Sequence, residues 1–366
     1  MMDLNVLKKT ILYNKHIQLG AKMIPYSGFY MPLQYISSLK EHMAVRKSVG
    51  IFDISHMGKF ILKGKDSHNL LQYLTINNLS NIKSGQAQYT CLVNTLGGII
   101  DDLIIYKISK IEFLLIVNAI NIEKDKKWIN NYIKNKKLKF LDLSQEYSLL
   151  SIQGPKSISS IQKLTNIPLS KIPFYHFEIG KFLDIDKILI SRTGYTGSKG
   201  VEIYIHNKYT EYIWNNILNI GTFSNMIPCG IASRNSLRIE MGYRLYGQDI
   251  TEKITPIEAG LSWITKFNKK FIAKKILKKQ KIKGTYKKFF SFFIEENKIP
   301  RQGNLLKNKK NSIIGKVTSG CFSPILKKGI GLGFITKNKL DKKSIFISIR
   351  EKKIPINIVK FPFIKI

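Results

Sequence analysis

Three strand-length apolar runs follow one another within residues 89–118: Tyr89–Asn94, Ile99–Tyr106 and Phe113–Asn118, separated by Gly or charged turns. Runs of that length so closely spaced read as hairpins. Helix-period stretches lie between such runs elsewhere. Residues 36–49 (ISSLKEHMAVRKSV) show apolar positions at helical spacing, with Ser37/Ser38 as a start signal and Gly50 as a stop. Phe52–Leu62 reads as strand, Ser67–Leu74 as helix, and Asn121–Asn135 as a charged helix with Trp128 and Ile129 inward. A further strand, Tyr147–Gln153, ends at Gly154-Pro155, and Ile188–Arg192 with Val201–His206 bracket the turn TGYTGSKG. Helices and hairpins mixed in this way predict α+β modules and exclude a doubly wound parallel sheet. The lysine-rich stretch Thr265–Lys288 reads as a connecting helix with a solvated face. After it, FFSFFIEE, SIIGKVTSG, GIGLGFI, SIFISIR and PINIVKF predict a small all-β barrel or sandwich.

The middle run raises a chemical question. Strand alternation puts Ile99, Asp101, Leu103 and Ile105 on one face and Ile100, Asp102, Ile104 and Tyr106 on the other, so each apolar face carries a carboxylate. An ionised carboxylate without partners is too costly to bury. Either the pair begins a strand at the surface, or one Asp lies in a cleft as a base or as an acceptor for a protonated nitrogen. Gly97 and Gly98 permit close backbone approach just before it.

Two further groups carry possible chemistry. In SRTGYTGSKGVEIYI (191–205) no Lys-Ser/Thr follows the glycines and a strand comes next, so a hairpin fits better than a phosphate cradle. There Glu202, Tyr204 and His206 share one face, and Glu202 is either solvent-facing or functional. In residues 228–250, Arg234 and Arg238 share one side of a helix, as a salt-bridged surface or as a fork for a ligand carboxylate. GIGLGF at 329–334 lies among short strands and reads as a β-turn rather than a dinucleotide loop. His42 and His56 lack partners at metal-ligand spacing, and Ser55-His56 lacks the nucleophile elbow of a hydrolase.

Charge and cysteine content bound the rest. The net charge is +36, yet only seven of the 60 basic residues are Arg, and Lys is strewn beside abundant Ile and Asn. That is the signature of A+T-rich codon drift; the interleaved aromatic and Arg platform of a nucleic-acid binder is missing, so no nucleic-acid partner is expected. Cys91, Cys229 and Cys321 stand far apart with no C-x-x-C, which excludes a zinc ribbon and a disulfide framework. No apolar run approaches the roughly 18 residues of a membrane span and no signal-peptide pattern opens the chain, so a cytoplasmic protein without a membrane partner is expected.

Taken in order, GFYMPLQY (28–35), EHMAVRKSVGIFDISHMG (41–58), GGIIDDLIIY (97–106), VNAINIEKD (117–125), IQGP (152–155), TGYTGSKGVEI (193–203), SLRIEMGYRLYGQDI (236–250) and VTSGCFSP (317–324) resemble the glycine cleavage T-protein family, the aminomethyltransferases. Eight blocks in family order span nearly the whole chain. The resemblance implies three domains around a central folate channel: two mixed α/β modules and a C-terminal β-barrel. Residues 1–52 and 145–264 would form a discontinuous first domain, 53–144 an inserted second domain carrying the catalytic Asp, and 265–366 a linker helix and barrel. It implies transfer of the methylene of an aminomethyl-lipoyl carrier, the lipoylated H-protein, to tetrahydrofolate as co-substrate, without a metal. Ammonia, 5,10-methylenetetrahydrofolate and dihydrolipoyl carrier would be the products.

The resemblance further implies that Asp102 faces folate N10 as the catalytic carboxylate, leaving Asp101 hydrogen-bonded to nearby backbone or exposed at the turn. Glu202 and Arg234 match folate-holding positions, and Tyr89, Asn118, Tyr175 and Tyr195 match the channel lining. Departures have consequences. Ser233-Arg234-Asn235 replaces the usual A-R-D and removes a charge partner from Arg234. Phe29 replaces a Trp, Ser198-Lys199 an acidic pair, and the tail after Pro362-Phe363 lacks an Arg or Tyr that some relatives supply, which implies weaker folate binding. A folate-binding iron–sulfur and tRNA-maintenance protein of the same fold is the alternative; its K-G-C-x-x-G-Q-E block is here LYGQD (245–249), without Cys.

Overall fold

The computed structural model describes residues 7–336 and 345–366. Residues 1–6 of the expected first domain, and Ser344 at the head of the SIFISIR run, lie outside the described residues. The chain falls into two compact units, Met1–Leu71 with Leu79–Tyr89 and Leu103–Asn235, and Gln72–Asn78 with Thr90–Asp102 and Ser236–Ile366.

The first unit contains a six-stranded sheet ordered Phe177–Phe182, Ile185–Ser191, Gly200–His206, Tyr147–Gln153, Gly50–Asp53, Ile227–Pro228. Its neighbouring strands pair antiparallel, except that Ile227–Pro228 pairs parallel with Gly50–Asp53. One face of Gly200–His206 presents Val201, Ile203 and Ile205, all fully buried against a core that includes Trp214 of the helix Thr210–Gly221. Each such aliphatic side chain contributes about 1.5–3 kcal/mol relative to exposure. The opposite face is covered as well. Glu202 and Tyr204 are 7% and 6% exposed, with the Tyr106 ring 5.3 Å from Tyr204 and 5.6 Å from Phe177. Glu202 is therefore not solvent-facing.

The 36–49 helix is Ser38–Lys47, capped by Ser37, whose side chain accepts from the Lys40 N–H at 3.2 Å. Gly50 does not stop it; it begins a strand. The single run expected over Phe52–Leu62 is two strands, Gly50–Asp53 and Gly58–Gly64, which enter different sheets. Ser55-His56 lies on the turn between them. A five-stranded sheet, ordered Gln86–Val93, Ile99–Lys107, Glu112–Val117, Gly58–Gly64, Leu138–Asp142, gathers the expected hairpins.

The second unit contains a seven-stranded antiparallel sheet, ordered Lys352–Pro355, Phe346–Ile349, Leu305–Lys307, Ile313–Ser323, Lys328–Thr336, Lys287–Ile294, Asn357–Val359. Phe290, Phe292, Val317 and Ile347 are among its buried core. GIGLGF is not a turn but the middle of the strand Lys328–Thr336. A Cβ on Gly331 would lie 2.4 Å from Phe292 Cζ, so its glycine makes room for an aromatic ring rather than for a loop. The expected connecting helix is shorter, Lys274–Lys283. Phe271 and Ile272 are buried, and Ala273 is left-handed (φ 59°), so packing before residue 274 takes precedence over helical propensity. No helix among the described residues is long and apolar enough to cross a membrane.

Candidate functional site

The carboxylate pair belongs to the second unit and is aimed by a rigid turn. Asn94 Oδ1 accepts from Leu96 N–H at 3.0 Å and Gly98 N–H at 2.9 Å, and Gly97 takes φ 88°. A Cβ on Gly98 would lie 1.7 Å from the Glu252 carbonyl oxygen, so only glycine fits there. Ile99 N–H then donates to the Ile254 carbonyl at 2.9 Å. The strand that starts here buries Asp101 completely and leaves Asp102 half-buried. Asp101 is not exposed at the turn. The apolar neighbours Ile99, Leu103 and Ile105 on its face are all sealed, and the carboxylate goes inward with them. Cys91 lies close enough for both charges to act on it: burial first, then Asp102 and Asp101, push its thiol well above the usual range.

The first unit assembles a second group. Glu202 stands opposite Ser151 and Ser191 in the sheet register, between small hydroxyl neighbours. Thr193 Oγ1 donates to Glu202 Oε2 at 2.5 Å and is itself 3.1 Å from the Tyr106 hydroxyl. Burial pushes the Glu202 carboxyl up, while the Thr193 bond and the Arg234 charge pull it back. Arg234, half-buried on the helix Ile231–Glu240, lies with its guanidinium 4.5 Å from the Tyr195 ring centroid, a cation–π stack that fixes its plane. Tyr195, Arg234 and Glu202 are thus brought together.

Tyr89, Asn118 and Tyr175 are each half-buried on other elements of the same unit. Tyr175 has φ 61°, a left-handed conformation that costs a bulky residue about 1–3 kcal/mol. Two bonds hold it there: its N–H donates to the Arg192 carbonyl at 3.1 Å, and its own carbonyl accepts from Ala87 N–H at 2.7 Å.

Arg238, one turn beyond Arg234, belongs to the second unit and is neither a surface charge nor a ligand fork. It is fully buried, with Nη1 2.6 Å from Asp249 Oδ2 and 2.9 Å from the Tyr243 carbonyl, and Nη2 2.9 Å from Ser319 Oγ. Asp249 Oδ1 also accepts from Ser319 Oγ at 2.8 Å.

Sequence reasoning missed the polar support of the first unit. Asp53 is buried and accepts from Thr10 Oγ1 at 2.7 Å and Ser55 N–H at 2.9 Å, with His16 Nε2 at 2.9 Å. Burial alone would raise Asp53; the His16 and Ser55 interactions outweigh it and hold the carboxyl at about 2. These partners lie 37 and 43 residues away in sequence, a separation that no local motif signals. Among the described residues, no three His, Cys, Asp or Glu side chains converge as a metal site.

Comparison with known proteins bears on this arrangement. Residues 12–269 match the family described as the GCVT N-terminal domain, and residues 287–365 match the glycine cleavage T-protein C-terminal barrel domain. An aminomethyltransferase of Flavobacterium psychrophilum is 46% identical over 360 residues, covering 98% of this chain and 100% of its own. One from Thermosipho melanesiensis is 44% identical over 359 residues, covering 98% and 97%. The crystal structure of the glycine cleavage system aminomethyltransferase T from Bartonella henselae superposes with a TM-score of 0.91 at 30% identity, covering 98% of each chain.

Proposed function

The chain belongs to the glycine cleavage T-protein family, and from that premise we propose how its residues divide the work of an aminomethyltransferase. It is an enzyme of the glycine cleavage system that transfers a methylene to tetrahydrofolate. Its donor, in this reading, is the aminomethyl group on the lipoyl arm of the carrier H-protein. Ammonia and the dihydrolipoyl carrier leave, and 5,10-methylenetetrahydrofolate is formed. The reading takes the protein to act in the cytoplasm. It also assigns residues 1–52 and 145–264, 53–144, and 265–366 to three domains. The six-stranded sheet supports that division, because it pairs Gly50–Asp53 with strands that begin only at Tyr147.

The observation that carries the folate assignment is the buried Glu202 carboxylate beside a cation stacked on an aromatic ring. A pterin presents amino and N–H donors on one edge and an acceptor oxygen nearby. Glu202 suits the first and Arg234 the second, so the residues fit the group. Tetrahydrofolate would bring the nitrogen nucleophiles, N5 of its pterin and the bridging N10. Everything else falls to the chain. Glu202 and Arg234 hold the ring system, Tyr195 fixes the guanidinium plane, and Tyr89, Asn118 and Tyr175 line the way in.

Asp102 is the carboxylate assigned to face N10. Held on a strand rather than a loop, it orients the nitrogen by accepting its hydrogen bond, and its negative charge stabilises positive charge developing on the transferred carbon. Asp101, sealed on the other face, cannot do the same.

The test is ammonia release by the purified protein from aminomethylated carrier. Release should accelerate when tetrahydrofolate is added; a rate that ignores folate would overturn the reading. The excess of Lys gives the carrier a role for charge: an acidic carrier would be steered toward this chain. The iron–sulfur alternative gains no support, since residues 245–249 carry no Cys.

A further inference from the structure

The first unit seals away a carboxylate that none of the roles above uses. Glu41, on the helix Ser38–Lys47, is fully buried. A carboxylate out of water is costly unless donors surround it, and here the donors come from two separate stretches of chain. Oε1 accepts from the Tyr35 N–H at 2.7 Å and the Ile36 N–H at 3.3 Å. Oε2 accepts from the Gly230 N–H at 2.8 Å and lies 3.2 Å from Ser233 Oγ. Burial pushes the carboxyl up, and these bonds, led by the one from Gly230, pull it back in part.

The second stretch is the start of the helix that carries Arg234. Gly230 immediately precedes the first helical residue, Ile231, so its N–H has no partner within the helix, and a carboxylate there also meets the positive end of the helix dipole. Glu41 thus caps this helix from 189 residues away. The tie to Arg234 is short. Gly230, whose N–H Glu41 holds, offers its own carbonyl to the Arg234 N–H at 3.2 Å. Ser233, the residue before Arg234, is fully buried and shares its one hydroxyl proton between the Glu41 carboxylate and the Gly230 carbonyl, 2.9 Å away. Gly230 has no slack on its other side, since a Cβ there would lie 2.2 Å from the Leu33 carbonyl oxygen. The Tyr35 end is anchored as well: its hydroxyl lies 2.8 Å from His16 Nδ1, and the other nitrogen of that ring is 2.9 Å from Asp53 Oδ2.

We infer that Glu41 is a positioning residue for folate binding: by strapping the first turn of the helix Ile231–Glu240 to the Tyr35–Ile36 segment, it fixes where the Arg234 guanidinium stands. Tyr195 sets the plane of that guanidinium, and Glu41 sets the backbone from which it extends. The inference rests on the folate reading of Arg234.

The experiment measures tetrahydrofolate affinity and thermal unfolding for Glu41→Gln and Ser233→Ala, each in the wild-type background and in Arg234→Met. Gln keeps the size of the side chain but has one accepting oxygen, so it can hold the Tyr35–Ile36 segment or the helix, not both. In the wild-type background Glu41→Gln should weaken tetrahydrofolate binding about tenfold and Ser233→Ala about threefold, with turnover at saturating folate retained. In Arg234→Met neither should weaken binding further, although each should lower the melting temperature as much as it does in the wild-type background. A strap with no part in recognition gives a different result: an affinity loss that is the same with or without Arg234. That outcome, or wild-type affinity in folded Glu41→Gln, overturns the inference while leaving the folate reading intact. Should Glu41→Gln fail to fold, Ser233→Ala decides by the same comparison. An Arg234→Met variant that binds tetrahydrofolate as the wild type does overturns the folate reading of Arg234 and this inference with it.

Discussion

Arg234 and Arg238 stand one turn apart on the helix Ile231–Glu240 and meet opposite fates. Arg238 is sealed, and Asp249, Ser319 and the Tyr243 carbonyl take its donors. Arg234 is half-buried and held by the face of the Tyr195 ring, a contact that orients a guanidinium while leaving its N–H edge for other partners. Spacing alone cannot separate the two. What separates them is the partner each meets: a buried carboxylate for Arg238, an aromatic face for Arg234, the one proposed to hold folate.

Substitutions should widen the contrast. Arg238→Met leaves Asp249 buried and unpaired, so the second unit should lose about 3–5 kcal/mol in denaturant unfolding. An unchanged midpoint would show that Arg238 does not bind the unit together. Arg234→Met should unfold much like the wild type, yet raise the Michaelis constant for tetrahydrofolate roughly 10- to 100-fold, the worth of a charged hydrogen bond. If its melting temperature falls as far as that of Arg238→Met, the two arginines do the same job and the contrast fails.

Acid should expose the buried polar groups of the first unit. The His56 imidazole falls from 6.5 to about 3 on folding, so the unfolded chain takes up the proton first as pH drops. Stability is fully present above pH 6.5 and declines toward pH 3; between pH 6.5 and 5 this one group accounts for roughly 2 kcal/mol. Asp53, lowered from 3.8 to about 2, acts in the same direction further down. Unfolding of His56→Phe should show a flatter acid limb over that interval, and an identical limb would remove His56 as its source. The smallest effect expected is on the carrier. Its Michaelis constant should rise several-fold between low and moderate ionic strength as surface charge is screened, whereas that for tetrahydrofolate should hardly move. A salt-indifferent carrier constant would reduce the Lys content to composition.

Much of this was legible in the residues, and what was missed has physical reasons. Alternation placed Asp101 and Asp102 on opposite faces, and the Asn94–Gly98 turn was readable from its glycines. Period-2 patterning could not tell that both faces of Gly200–His206 are covered. Glu202 shares the Thr193 hydroxyl with Tyr106, which lies far away in sequence, so a carboxylate that looked equally fit for solvent proves enclosed. GIGLGF carries both a strand and a turn reading in the sequence; Phe292, on the neighbouring strand, is the reason for Gly331. The Lys-rich stretch looked helical from residue 265 because lysine favours helix, but Phe271 and Ile272 are taken up by packing first. Arg238 was misjudged because its acceptors come from Asp249 and Ser319, the latter 81 residues on.

The central claim is that Asp102, and not Asp101, is the carboxylate that acts on the transferred group. Folate-dependent ammonia release from aminomethylated carrier, measured for Asp102→Asn and Asp101→Asn beside tetrahydrofolate affinity, tests it directly. Asp102→Asn should lose about 10²–10³-fold in turnover with near-wild-type folate affinity, while Asp101→Asn should lose stability first and keep most of its turnover. Undiminished turnover in Asp102→Asn, or an equal loss in folded Asp101→Asn, would contradict the claim.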